Sequence, residues 1–204
     1  MLILVPGYVL VKNVNNALPL KRPNLISIFG YAAVDVTVND FARLSFGSSQ
    51  PNQSIPGLLY VGGGSGANNP AYISDYICAF GDRAYEYGTS ILWDTVNVNP
   101  TVDQASDVCI VAINAYATEG WDRMGLHDDY SDSIVLNVAN KCANTVVVIQ
   151  NAGIRLVDTF YNHPNISAII YAHLPGQDAG RALTSLMYGD VSFSGKLPYS
   201  TLVP

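Results

Sequence analysis

Within Thr118-Glu119-Gly120-Trp121-Asp122-Arg123 a carboxylate, an indole and an acid-base pair of side chains stand almost side by side. A loop carboxyl group can hand a proton to a reacting atom and take one back, and a neighbouring ring can pack on a sugar face or shield the acid from water. Taken alone, a loop Glu is a solvated surface group, Trp121 a hydrophobic plug, and Asp122 with Arg123 a structural brace. What singles out Glu119 is the element before it. Val108-Cys109-Ile110-Val111-Ala112-Ile113 is a β-branched apolar run that ends abruptly and reads as a strand buried on both faces. The stretch from Ala115 to Asp129 then begins at a strand's carboxyl end, where open α/β sheets bind ligands.

A second loop could meet this one. Leu58-Leu59-Tyr60-Val61 runs into Gly62-Gly63-Gly64-Ser65-Gly66, a turn in which the backbone must bend sharply or approach something closely. Ala67-Asn68-Asn69-Pro70 follows without a Lys-Ser/Thr pair, so neither a P-loop nor a dinucleotide fingerprint is present. The frame also differs from the Gly-x-Ser-x-Gly elbow of serine hydrolases. On its own Ser65 reads as a turn residue with backbone partners only. His127, His163 and His173 show no ligand spacing, and no metal or cofactor is expected.

Positioning these loops requires a sheet. Leu25–Phe29, Ser90–Trp93, Val108–Ile113, Thr145–Ile149 and Ser167–Tyr171 read as strands, and Val9–Leu20 as a helix end or a strand entering a turn. Helical spacing appears from Pro70 to Arg83, from Ser131 to Ala143, at a helix end over Asp158–Asn162, and from Asp178 to Tyr188 before Gly189. The polar stretch Asp40–Pro56 reads as surface. Strands alternating with helices predict a three-layer α/β/α sandwich with a mostly parallel sheet, flavodoxin-like in appearance, as a single domain over residues 1–204.

Composition excludes other classes. The chain has 204 residues, 49% hydrophobic and 13% charged, enough for a sizeable core. A net charge of −6 with only 10 basic residues argues against nucleic acid, and no apolar run nears the ~20 residues that span a bilayer. Met1–Pro6 is apolar but lacks a basic flank, so no signal peptide is expected in this chain. Cys78, Cys109 and Cys142 lack metal spacing and read as buried free thiols, with one pairing left open. Asn52-Gln53-Ser54 and Asn165-Ile166-Ser167 are sequons.

Several motifs then fall in one order: Leu10-Val11-Lys12-Asn13 with Leu18-Pro19-Leu20, the GGGSG turn, TEGWDR, His163-Pro164-Asn165, Leu174-Pro175-Gly176-Gln177-Asp178-Ala179-Gly180 and Ser194-Gly195-Lys196-Leu197-Pro198. From about Val9 to Pro198 the chain resembles the C-terminal α/β-sandwich domain of glycoside hydrolase family 3, most of all that of fungal β-glucosidases. The resemblance implies a retaining glycosidase whose nucleophilic Asp sits on a separate N-terminal (β/α)8 barrel. In it Glu119 matches the acid/base, Trp121 an aromatic at the leaving-group subsite, and Ser65 a serine that reaches the bound sugar. Gln177 and Asp178 carry no catalytic role.

Neither the barrel nor its Ser-Asp-Trp nucleophile stretch is found, and a fibronectin-like third domain is also missing. The expectation is therefore half an active site: a part of a secreted β-glucosidase acting on cellobiose or other short β-glucosides, inactive alone and dependent on the barrel. Trp121 beside Glu119 is expected to raise the pKa of the acid. An isolated sandwich should also expose the apolar surface that meets the barrel. Two rivals remain, a non-catalytic sugar-binding or interaction module of this fold and a flavodoxin-like binder of a small molecule.

Overall fold

The computed structural model describes residues 7–35 and 53–199. In chain order the strands are β1 (Val9–Asn13), β2 (Leu25–Phe29), β3 (Ser90–Asp94), β4 (Val108–Ala115), β5 (Thr145–Asn151) and β6 (Ile166–Tyr171). The helices are α1 (Tyr76–Tyr87), α2 (Asp129–Ala139), α3 (Asp158–Tyr161) and α4 (Ala179–Met187). One sheet holds all six strands in the order β1-β6-β5-β4-β2-β3. Every pairing is parallel except β1 on β6, which is antiparallel.

The apolar runs explain the layers. Every residue of β4, β5 and β6 is buried, because successive side chains point to opposite faces and helices cover both. Ile110, Val146, Val148 and Ile170 meet Phe80 of α1 and Leu183 of α4 on one side. Val111, Val147, Ile149 and Ile169 meet Val135 and Val138 of α2 and Phe160 of α3 on the other. The sequence therefore folds as the expected three-layer sandwich.

The strand order reverses between β2 and β4, since β2 leads out to β3 while β4 leads the opposite way to β5 and β6. Loops leaving the carboxyl ends of β2 and β4 diverge there and open a crevice. The Glu119 loop is one of its walls.

Three expectations need correction or completion. Of the two readings for Val9–Leu20 the strand entering a turn holds: Val9–Asn13 is β1, and the chain turns through Asn15 and Asn16, both at positive φ, a conformation asparagine tolerates. The helix expected from Pro70 begins only at Tyr76 and runs beyond Arg83 to Tyr87. Ahead of it the chain is held extended against the Leu174–Gly180 turn, Ala71 N–H donating to Gln177 Oε1 and Ser74 N–H to the Gln177 carbonyl, until Asp75 caps the helix by accepting from Cys78 N–H. The third concerns the thiols, because Cys109 and Cys142 form a disulfide and only Cys78 is free, on the exposed side of α1. Cys109 faces α2 from the start of β4, and the crossover to the parallel strand β5 brings the end of α2 back to that same end of the sheet. The surface stretch Asp40–Pro56 lies outside the described residues up to position 52, as does the sequon at Asn52.

The helix pair α1 and α4 meets at backbone distance. A Cβ placed on Gly180 would lie 2.0 Å from the Asp75 carbonyl oxygen and 2.8 Å from Ala79 Cβ, while Gly180 N–H donates to the Ser74 carbonyl. Gly180→Ala should therefore separate the two helices and cost about 1–3 kcal/mol. Urea unfolding read by circular dichroism checks this, and an unmoved midpoint would contradict it.

Candidate active site

Glu119 stands at the tip of a tight turn. Thr118 and Trp121 pair as an antiparallel bridge, and Gly120 between them sits at φ +86°, a left-handed conformation that glycine enters without strain. The order Thr-Glu-Gly-Trp therefore projects the carboxyl group beyond the carboxyl end of β4.

The glycine turn comes down upon it. Leu58 and Leu59 are fully buried above the sheet, with Leu59 N–H donating to Gln150 Oε1, and the chain then passes over the Glu119 loop. Gly63 N–H donates to the Ala117 carbonyl. A Cβ on Gly63 would lie 2.3 Å from Tyr116 Oη and 2.4 Å from Thr118 Oγ1, and one on Gly64, at φ +90°, 2.3 Å from Glu119 Cβ. The turn both bends and approaches closely, and no other residue type fits either position.

Contact at this distance brings two of the three candidates together. Ser65 donates to Glu119 Oε2 twice, from its backbone N–H at 2.8 Å and from its hydroxyl. Ser65 thus has a side-chain partner, contrary to its reading as an isolated turn residue. These donors favour the ionised form, so the Ser65 hydroxyl first, then the Ser65 N–H, hold the Glu119 carboxyl below its usual range, with burial opposing them only weakly. The expected upward shift beside Trp121 is not found. The reason is solvent: Glu119 is exposed and the Trp121 ring is 47% exposed, so the indole leaves the acid in water.

The remaining loop residues brace it. Arg123 donates to the Ile154 carbonyl, whereas Asp122 is exposed and, among the described residues, forms no ion pair. His127 Nε2 meets Asp158 Oδ1 at 2.7 Å, which holds the Asp158 carboxyl below its usual range. The other histidines lie apart from this group: His163 bonds Asn140, and His173 stacks on Tyr171 with its pKa lowered by burial. Among the described residues no group of three or more His, Cys, Asp or Glu could hold a metal ion. No helix among them is long and apolar enough to cross a membrane.

A cleft of about 780 Å³ opens at the strand-order reversal, lined by Tyr31, Ile55, Leu126, His127, Asp128 and Tyr130 among others, without Glu119, Ser65 or Trp121. The Glu119–Ser65 pair instead lies on an open rim. The bracing role read for Arg123 is met through the Ile154 carbonyl, whereas the His127–Asp158 pair has no signal in the sequence. Only the run of glycines signalled close approach, and what it approaches is long-range.

The geometry defines an α/β sandwich that presents a hydrogen-bonded carboxylate above the carboxyl ends of parallel strands. Comparison with known proteins gives the family. The chain belongs to glycosyl hydrolase family 3, whose C-terminal domain profile matches residues 8–202. It is 55% identical over 199 residues to the probable beta-glucosidase M of Emericella nidulans, covering 96% of this chain and 26% of that protein. It is 50% identical to beta-glucosidase cel3A of Pyricularia oryzae, covering 96% and 28%. Among solved structures, a beta-D-glucoside glucohydrolase from Trichoderma reesei matches at 33% identity with a TM-score of 0.79, over 96% of this chain and 29% of that one. The beta-glucosidase D2-BGL from Chaetomella raphigera matches at 30% with a TM-score of 0.86, over 97% and 29%. The chain thus spans about a quarter of the length of the curated relatives it matches.

If Ser65 sets the charge on Glu119, Ser65→Ala should move the carboxyl titration upward, partway to the ordinary range, since the N–H bond stays. Because the folded pKa is the depressed one, any stabilisation from the pair is present above the unfolded carboxylate pKa and disappears as pH falls through the folded value. Carbon-13 NMR titration of the Glu119 carboxyl reads this directly, and an unchanged midpoint would remove the Ser65 hydroxyl as the leading cause.

Proposed function

We propose that this chain is the portion of a retaining β-glucosidase that supplies the acid/base carboxyl, Glu119, and that it is inactive until a second domain completes the site. The observation that carries this reading is the contact between Ser65 and Glu119, which two glycines without room for a Cβ enforce. Its family membership and the β-glucosidase names of its relatives support the reaction class.

Retaining hydrolysis needs two carboxyl groups roughly 5 to 5.5 Å apart, one attacking the anomeric carbon and the other protonating the leaving oxygen. Glu119 takes the second role. Alone it is ionised and wet, which suits the later step, in which the carboxylate accepts a proton from the attacking water. Protonating the leaving group requires a proton held near working pH. A neighbouring domain that covers the rim and excludes water raises the pKa in the required direction. Ser65 O–H then has a choice of acceptors, the carboxylate or a sugar hydroxyl, and Trp121 offers its half-exposed face to the aglycone.

The covering surface has a counterpart on this chain. Trp121, Met124, Leu126 and Tyr130 are exposed apolar side chains along the Glu119 loop and the start of α2. They fit a docking face for the (β/α)8 barrel that the family resemblance implies. The Cys109–Cys142 disulfide supports secretion of the longer protein, because disulfides persist in oxidising compartments.

The test is a chimera in which this chain replaces the matching segment of the Emericella nidulans relative. It should hydrolyse cellobiose and aryl β-glucosides, while this chain alone does neither. Glu119→Gln in the chimera should lower cellobiose turnover by about 10²- to 10⁴-fold, the usual contribution of a positioned acid/base. An aryl glucoside with a good leaving group needs less help from an acid and should suffer less. Full cellobiose turnover by Glu119→Gln would leave the non-catalytic, sugar-binding reading of this domain in its place.

A further inference from the structure

Among the described residues Arg155 has the largest side chain that is fully buried, with 1% of it exposed. Its guanidinium donates to Asp132 Oδ1 in the first turn of α2 and to the Leu156 carbonyl. It also reaches the carbonyls of Leu126 at 3.5 Å and of Asp128 at 3.4 Å, two residues of the stem by which the Glu119 loop runs into α2. The other oxygen of Asp132 accepts from Thr159 in α3 at 2.9 Å. Around this fork the segment Gly153–Asp158 forms a seat. Arg123 rests on the Ile154 carbonyl, Leu156 N–H donates to the Leu126 carbonyl at 3.0 Å, and Asp158 holds His127.

A buried ion pair is an expensive way to fill this space, since well-packed apolar side chains of similar volume are often equally stabilising. What an apolar pair cannot do is fix two backbone carbonyls relative to a helix turn. A lysine cannot either, because its ammonium is a single point of charge without the planar fork. We propose that Arg155 is a positioning residue for the Glu119 loop, holding its stem through the carbonyls of Leu126 and Asp128 on the start of α2. Its catalytic meaning rests on the reading of Glu119 as the acid/base. Its effect on the loop does not.

The test uses amide hydrogen exchange on the full 204-residue chain with Arg155→Lys and with the double variant Arg155→Met/Asp132→Leu, which removes both charges so that neither is left buried alone. In both, exchange over residues 116–128 should accelerate at least about tenfold, while amides of β4 and β5 keep their protection. Unchanged exchange in the loop of the double variant, or equal acceleration in loop and strands, would overturn the proposal by showing a role in packing alone. In the chimera, Arg155→Lys should lower kcat by roughly 10- to 100-fold with KM nearly constant, the mark of a misplaced catalytic group rather than lost binding. A change in KM alone would also overturn it. The two readings fail separately: a fully active Glu119→Gln removes the acid/base assignment, and an unmoved loop removes the positioning role.

Discussion

One close approach governs the functional end of this domain: the backbone at Gly63 and Gly64 lies against Thr118, Tyr116 and Glu119 at distances that leave no space for a side chain. Everything chemical follows from it. The turn presents both donors of Ser65 to one carboxylate oxygen, and the Thr118–Trp121 bridge keeps that oxygen at the rim of the sheet. The sheet makes the approach possible. Because β4, β5 and β6 are buried on both faces and held parallel, their carboxyl ends share one level, and loops from distant parts of the chain converge above them.

The electrostatics separate what this domain does from what it needs. Two donors on an exposed carboxyl favour ionisation, so the domain by itself presents a carboxylate. An acid at the same position requires water to be removed, and the half-exposed indole two residues away cannot do that unaided. On this account the proton affinity of Glu119 belongs to the assembled enzyme. Under the proposed role, dividing the site between domains would confine acid strength to the completed substrate pocket.

The fold was largely legible because its central strands are continuous β-branched runs and its last helix ends before Gly189, at positive φ. Expectation failed where a tertiary contact overrode a local pattern. The segment after Pro70 has helical spacing, yet Gln177 takes its backbone donors and delays the helix to Tyr76. Cys109 and Cys142 look like ordinary core thiols until the crossover places one over the other. The place of Glu119 after β4 was legible, but the direction of its pKa depended on Ser65, 54 residues earlier in the chain, making a contact no spacing rule encodes. Arg155 stayed invisible for a similar reason, since apart from the neighbouring Leu156 carbonyl its partners are the Asp132 carboxylate and two loop carbonyls, all more than twenty residues earlier in the chain.

The role of Glu119 depends on where its carboxyl comes to rest once a facing domain closes the site. A crystal structure of the assembled chimera would measure it. The prediction is a carboxyl group roughly 5 to 5.5 Å from a carboxylate of the facing domain, with Ser65 still within hydrogen-bond reach of Glu119 or of the sugar. A Glu119 side chain turned to solvent, or far from any facing carboxylate while substrate occupies the pocket, would contradict it.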